Sequence, residues 1–113
     1  MPPEKVDGKS SFFDIVNEIS ANMYGATAVL NNEKIIGIIT DGDIRRLIEK
    51  NININDVSAL SFMNTNPKTM KSDTLAIKSL KYMQENNISQ VLVLDDSNNY
   101  IGIVHILHMG KLK

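Results

Sequence analysis

Ala28-Val29-Leu30-Asn31-Asn32-Glu33-Lys34-Ile35-Ile36-Gly37-Ile38-Ile39 and, further along, Leu92-Val93-Leu94-Asp95-Asp96-Ser97-Asn98-Asn99-Tyr100-Ile101-Gly102-Ile103-Val104 read alike. Each is an apolar run, a polar turn and a second apolar run with an embedded glycine; the second copy has one more residue in its turn. The polar residues 31–34 form a hairpin turn between two strands. Residues 35–39 are β-branched throughout except for Gly37, the composition of a strand buried on both faces. The match continues upstream, where Phe13, Val16 and Ile19 align with Ile77, Leu80 and Met83 at a shift of about 64 residues. The chain is one unit written twice.

Each copy has the same order of elements. Ser11 with Asp14 three residues on is a capping-box signal, and Phe12, Val16, Ile19 and Met23 follow at helical spacing. Gly25 ends that helix, because glycine tolerates the left-handed conformation beyond a helix C-terminus. Strands are expected over 26–30 and 35–39, then a helix capped by Thr40 through about residue 50. The second copy repeats this, with a helix over about 73–85, strands near 90–94 and 100–104, and a last helix beginning near His105. Residues 1–10 are read as a tail, 11–50 as the first repeat, 51–72 as a linker and 73–113 as the second repeat. The residue before Pro67 is pushed out of the helical region, so 63–70 is expected to be extended. A unit this small cannot bury enough surface alone; two related units packed across a pseudo-twofold axis can. The fold class is therefore mixed α/β (α+β), two helix–strand–strand–helix repeats, with the glycine-bearing strands expected near the interface between them.

Composition narrows the function. The 113 residues are 42% apolar and 22% charged, with 12 Lys and Arg against 13 Asp and Glu, a net charge of −1. A nucleic-acid partner is not expected, since phosphate binding draws on a basic excess that this chain lacks. With no cysteine there is no thiol nucleophile and no Cys-ligated zinc. No apolar run approaches the roughly 20 residues of a membrane helix. Residues 1–5 lack the apolar core of a signal peptide, so the expected location is cytoplasmic, with no membrane partner.

The strongest local feature is Gly37-Ile38-Ile39-Thr40-Asp41-Gly42-Asp43-Ile44-Arg45-Arg46, where a buried strand passes directly into a helix. A helix N-terminus offers free N–H groups and partial positive charge, a ready anion site. The Thr40 hydroxyl is placed to donate to a phosphate oxygen, and the Asp43 carboxylate to accept from ribose hydroxyls. The same two residues also make a capping box that needs no ligand, and Gly42 would leave the surface above the helix end open. In the second copy His105 and His108 stand where the first has Thr40 and Asp43. Two histidines without a nearby carboxylate or cysteine rarely bind metal, so no metal site is expected; contact with an anionic ligand and a capping role both remain open. Arg46 reaches either a ligand phosphate or solvent, and Lys68 and Thr69 edge the cleft. Catalytic constellations are absent: there is no Ser elbow, P-loop or HExxH, and Asp41 and Asp43 diverge at a helix start. The chain is not expected to be catalytic by itself.

These residues resemble a known family. The duplicated helix–strand–strand–helix framework and the glycine–hydrophobic–x–Thr–x–x–Asp motif at residues 37–43 resemble a tandem pair of CBS (cystathionine β-synthase) domains, a Bateman module. More narrowly, residues 37–47, Phe62-Met63-Asn64-Thr65-Asn66-Pro67-Lys68-Thr69 and Gly102-Ile103-Val104-His105 resemble the C-terminal part of bacterial D-arabinose-5-phosphate isomerases. The resemblance spans roughly residues 11–112. In that family a sugar-isomerase (SIS) domain precedes the CBS pair and makes arabinose 5-phosphate for 3-deoxy-D-manno-octulosonate (Kdo), used in lipopolysaccharide or capsule. It implies a regulatory module that requires no cofactor and binds a nucleotide or nucleotide-sugar, CMP-Kdo or an adenine nucleotide. Thr40 and Asp43 would be the anchors, and Gly25, Ala26 and Thr27 would offer backbone groups to the base. It also implies a homodimer through CBS pairs; a ligand-free dimerisation module holding the isomerase together is the alternative. The family often has Asp close behind the second-junction His, where this chain has Ile106-Leu107-His108-Met109, which ranks the first pocket above the second.

Overall fold

Asn32 and Glu33 both have positive φ, 51° and 68°, as a two-residue type I′ hairpin turn requires. They join β2 (Ala26–Asn31) to β3 (Lys34–Thr40) in antiparallel register. The computed structural model describes residues 5–22, 24–74 and 76–106. Within them β2 is flanked on its other side by β1 (Lys5–Asp7), paired in parallel, and the strands are connected by α1 (Phe12–Asn22). After β3 come α2 (Asp41–Glu49), a 3₁₀ turn (Ile54–Asp56) and the short helix α3 (Ala59–Phe62). The second sheet repeats the first: β4 (Thr69–Lys71) lies parallel to β5 (Gln90–Leu94), which is antiparallel to β6 (Tyr100–His105), with α4 (Ala76–Glu85) between β4 and β5.

The two hairpins carry the same irregularity. The register shifts between Val29 and Leu30 in one and between Val93 and Leu94 in the other, with Val29 opposite Gly37 and Val93 opposite Gly102. A bulge at the same place in both copies extends the repeat from sequence into backbone geometry. Between the sheets lies a buried cluster in which Ala28, Leu30 and Ile38 of the first repeat meet Leu92, Tyr100 and Ile103 of the second. Ile15, Ile19, Val29, Ile39 and Ala59 fill the space under α1, and Met83 and Val91 do the same under α4. Each unit thus shares one apolar face with its copy and covers the other with its own helix.

Several expectations change. Residues 1–10, read as a tail, contain β1, and 51–72, read as a linker, contains α3 and β4. Three-residue strands without an apolar run leave little pattern, and their pairing comes from partners distant in sequence. On α1 the deepest residue is Ile15, fully buried, while Val16 is half-buried. The second helix starts at Ala76 rather than 73. His105 is the last residue of β6, and the helix expected after it lies outside the described residues apart from Ile106. Gly37 does not serve the contact between repeats. A Cβ there would come within 2.7 Å of Met63 Sδ and 2.9 Å of the Asn64 carbonyl oxygen. The chain leaving α3 crosses β3 at this point, with Ile38 N–H donating to Asn64 O at 3.0 Å and Asn64 N–H to Ile38 O at 2.9 Å. The close approach is to the connecting segment.

Candidate functional site

Thr40 ends β3 in an extended conformation (φ −113°, ψ 167°), so its side chain turns over the first turn of α2. Asp43 N–H donates to Thr40 Oγ1 at 3.3 Å, and Thr40 N–H donates to Asp43 Oδ2 at 2.9 Å, completing a capping box. The Thr40 hydroxyl also donates to Asp43 Oδ2 at 3.1 Å. The other carboxylate oxygen, Oδ1, accepts from Arg46 Nη2 at 2.6 Å. Asp43 is thus engaged on both oxygens, and the capping role is real. Gly42 does not leave the helix end open, because a Cβ there would lie 3.3 Å from Arg46 Nη1. The guanidinium is folded back over the first turn, with the Arg46 side chain 65% exposed against 18% for Asp43.

A cavity of about 420 Å³ opens beside this junction. Ile38, Thr40, Asp43 and Arg46 form its wall from the first repeat, and Asn64, Asn66, Pro67 and Lys68 form its floor from the connecting segment. The opposite wall is residues 87–90, the turn between α4 and β5 of the second repeat. It therefore belongs to both repeats. Its charged lining is Asp43, Arg46 and Lys68, a net positive set. Among the described residues no cluster of His, Asp and Glu could hold a metal ion.

Of the ten residues expected from sequence, Thr40, Asp43, Arg46 and Lys68 meet in this cavity. Thr69 lies in a neighbouring cleft with Glu33, Lys34, Leu94 and Asn98, reached past Pro67. Gly25, Ala26 and Thr27 do not line the cavity. Ala26 and Thr27 are fully buried, paired with Thr40 and Ile39 in the β2–β3 ladder, and the Gly25 carbonyl already accepts from Asp41 N–H at 2.8 Å. His105 is half-buried at the end of β6, opposite Gln90 in the β5–β6 register. His108 lies outside the described residues.

Sequence reading missed the wall formed by 87–90. The signal was present in the repeat: Ile106 N–H donates to Ser89 O at 2.8 Å just as Asp41 N–H donates to Gly25 O. Ser89 and Gln90 thus hold in the second copy the places of Gly25 and Ala26 in the first. A pseudo-twofold relation brings the opposite copy's turn to the cavity beside Thr40, while the turn of the same copy is taken up in pairing with Thr40 and Asp41.

With two such units on the page, the comparison with known families is decisive. The sequence matches the CBS domain over residues 1–50 and again over 56–109. The chain belongs to the CBS domain family. It is 37% identical over 97 residues to the arabinose 5-phosphate isomerase KdsD of Francisella tularensis, an alignment covering 85% of this chain but 29% of that protein. The chain thus spans less than a third of the relative's length. Among solved structures, a CBS domain protein from Pyrobaculum aerophilum complexed with AMP superposes with a TM-score of 0.84 at 18% identity, covering 95% of this chain and 82% of that one. The CBS domain pair of protein MJ0100, in complex with 5′-methylthioadenosine and S-adenosyl-L-methionine, gives 0.86 at 24% identity, covering 99% and 88%. These likenesses establish the CBS-pair fold, with its mixed α/β architecture in two similar units.

Proposed function

We propose that this chain is a non-catalytic regulatory CBS pair that binds a nucleotide or nucleotide-sugar in the Thr40–Gln90 cavity and so controls an arabinose-5-phosphate isomerase domain of the SIS type. The reading rests on one observation: a capped helix N-terminus, the Asp43 carboxylate and the cations Arg46 and Lys68 converge in a cavity whose far wall belongs to the other repeat. Arg46 and Lys68 suit a phosphate, and Asp43 suits ribose hydroxyls once Arg46 turns to the phosphate. Ile38, Ile88 and Pro67 supply apolar surface for a base. Because both repeats touch the ligand, binding favours one arrangement of the two halves, and through it one state of the attached domain. The ligands carried by the structural neighbours and the isomerase identity of the sequence relative support this choice. CMP-Kdo, a product downstream of arabinose 5-phosphate, and adenine nucleotides are the candidate effectors. No cofactor is required, and the module works in the cytoplasm with its enzyme.

A thermal-shift panel of CMP-Kdo, CMP, AMP, ADP, ATP and S-adenosylmethionine tests this on wild type and Asp43→Ala. A ligand at about 100 times its dissociation constant stabilises the fold by about 2.7 kcal/mol, several degrees for a domain of this size. A shift with one ligand, lost in Asp43→Ala, is the expected result; silence across the panel contradicts it.

One observation favours a second reading, the ligand-free dimerisation module. Phe13 on α1 and Ile77 on α4 stand at matching positions of the two repeats and are 57% and 76% exposed. An oligomer that dissociates in the Phe13→Glu, Ile77→Glu double variant and ignores every nucleotide would select that reading.

A further inference from the structure

The side-chain amide of Gln90 is held in one orientation. Its Nε2 donates to the Tyr24 carbonyl oxygen at 3.0 Å, a bond that crosses from the second repeat to the first. A carbonyl oxygen only accepts, so the nitrogen of the amide and not its oxygen must face Tyr24. The same nitrogen would lie 3.4 Å from a Cβ at Gly25, so it sits close against this stretch of backbone. The amide oxygen, Oε1, has no hydrogen-bond partner among the described residues. No side-chain nitrogen or oxygen of those residues is both fully buried and unpartnered, so Oε1 is not sealed from solvent. It is carried by a half-buried residue of the cavity wall. Oε1 is therefore a fixed acceptor with unused capacity.

The other amides of the cavity are different. Asn66 and Asn87 are exposed, and a freely turning amide offers donor or acceptor with equal ease. Asn64 is oriented in the opposite sense, its Oδ1 accepting from Asn66 N–H at 2.9 Å, which leaves its Nδ2 as a donor. The first repeat has no counterpart either, since the position matching Gln90 is the fully buried Ala26. Among the amides that line the cavity, Gln90 is thus the one held with its oxygen unused.

We propose that Gln90 is a specificity-determining residue: it presents Oε1 to the base of the bound nucleotide and selects bases that carry an exocyclic amino group, adenine or cytosine, over their oxo counterparts, hypoxanthine and uracil. This rests on the reading of the cavity as a nucleotide site. An amino group donates to Oε1. An oxo group at the same place sets acceptor against acceptor, and both lose their water without gaining a partner. Rotating the amide to offer its nitrogen instead would break the bond to Tyr24, which is what makes the selection firm. Adenine and cytosine offer the same donor, and the paired ligands below separate them.

Isothermal titration of wild type with AMP and IMP, and with CMP and UMP, tests the proposal. In at least one pair the amino nucleotide should bind about tenfold tighter than its oxo partner. Gln90→Leu and the unbranched Gln90→Met, each checked for a cooperative melt, should bring that ratio to within about twofold by weakening the amino nucleotide. Equal binding of both members of each pair by wild type overturns the proposal and leaves the nucleotide site standing. So does a preference that survives in both variants, which would place the reading in another group. Failure of all four nucleotides to bind wild type overturns the site and the selectivity together.

Discussion

Asp43 grips Arg46 at 2.6 Å across one turn of α2 while its second oxygen accepts the Thr40 N–H at 2.9 Å. From sequence, cap and ligand anchor are two compatible roles for this carboxylate. Geometry makes the cap real and leaves the ligand role compatible with it, because a carboxylate has roughly four lone-pair sites and can accept more than it does here. In this form Arg46 lies over Gly42, across the place a phosphate would approach.

The two partners should therefore separate in stability. Asp43→Ala removes half the capping box and should cost about 1 kcal/mol, about 5 °C in Tm. Arg46→Ala breaks a pair whose cation is 65% exposed and should cost under about 0.5 kcal/mol. Thermal denaturation of both variants checks this; equal losses would contradict it.

Gly37→Ala should be among the most damaging small substitutions in the chain. The added methyl would meet Met63 Sδ at 2.7 Å and the Asn64 carbonyl oxygen at 2.9 Å, and the latter is backbone that is itself bonded to Ile38. A loss of about 1–3 kcal/mol is expected in a denaturant titration.

The apolar face of α1 gives a further contrast. Ile15 is fully buried, so Ile15→Ala should cost about 2–5 kcal/mol, well above the cost of Val16→Ala at the half-buried neighbour. Similar losses at the two positions would place the helix face where the sequence spacing put it.

Much of this molecule is legible in the sequence because it is written twice. The hairpins and the strand-to-helix junction at Thr40 carry strong local chemistry: β-branched runs, an Asn-rich turn and a Thr–x–x–Asp cap. Elements with no local signature are lost. β1 and β4 are three residues long and exist because β2 and β5 accept them as edge partners. The burial of Ile15 over Val16 depends on where β2 and β3 lie beneath α1, which periodicity does not specify closely. For the site, the motif wall is local and readable, whereas the wall at residues 87–90 arrives only through packing of the two repeats.

Asp95 should shape the acid limb of stability. Its carboxylate accepts from the N–H of Asn99 and of Ser97, each at 2.9 Å, within the β5–β6 turn. The Asn99 N–H above all, with help from the Asn99 side chain, Ser97 and the Lys71 charge and against some desolvation, holds its pKa below the ordinary 3.8. A depressed folded-state pKa adds stability above the unfolded value, lost as pH falls through the folded one. Between about pH 5 and about pH 3 the Tm of wild type should therefore fall more than that of Asp95→Ala. Parallel falls would contradict the assignment.

Backbone amide NMR during titration with AMP and with CMP reads out whether the cavity between Thr40 and Gln90 holds a nucleotide. Saturable shifts confined to Thr40, Asp43, Lys68 and residues 87–90 are the expected result. Unchanged spectra, or shifts centred on the separate cleft of Glu33, Thr69 and Asn98, would contradict it.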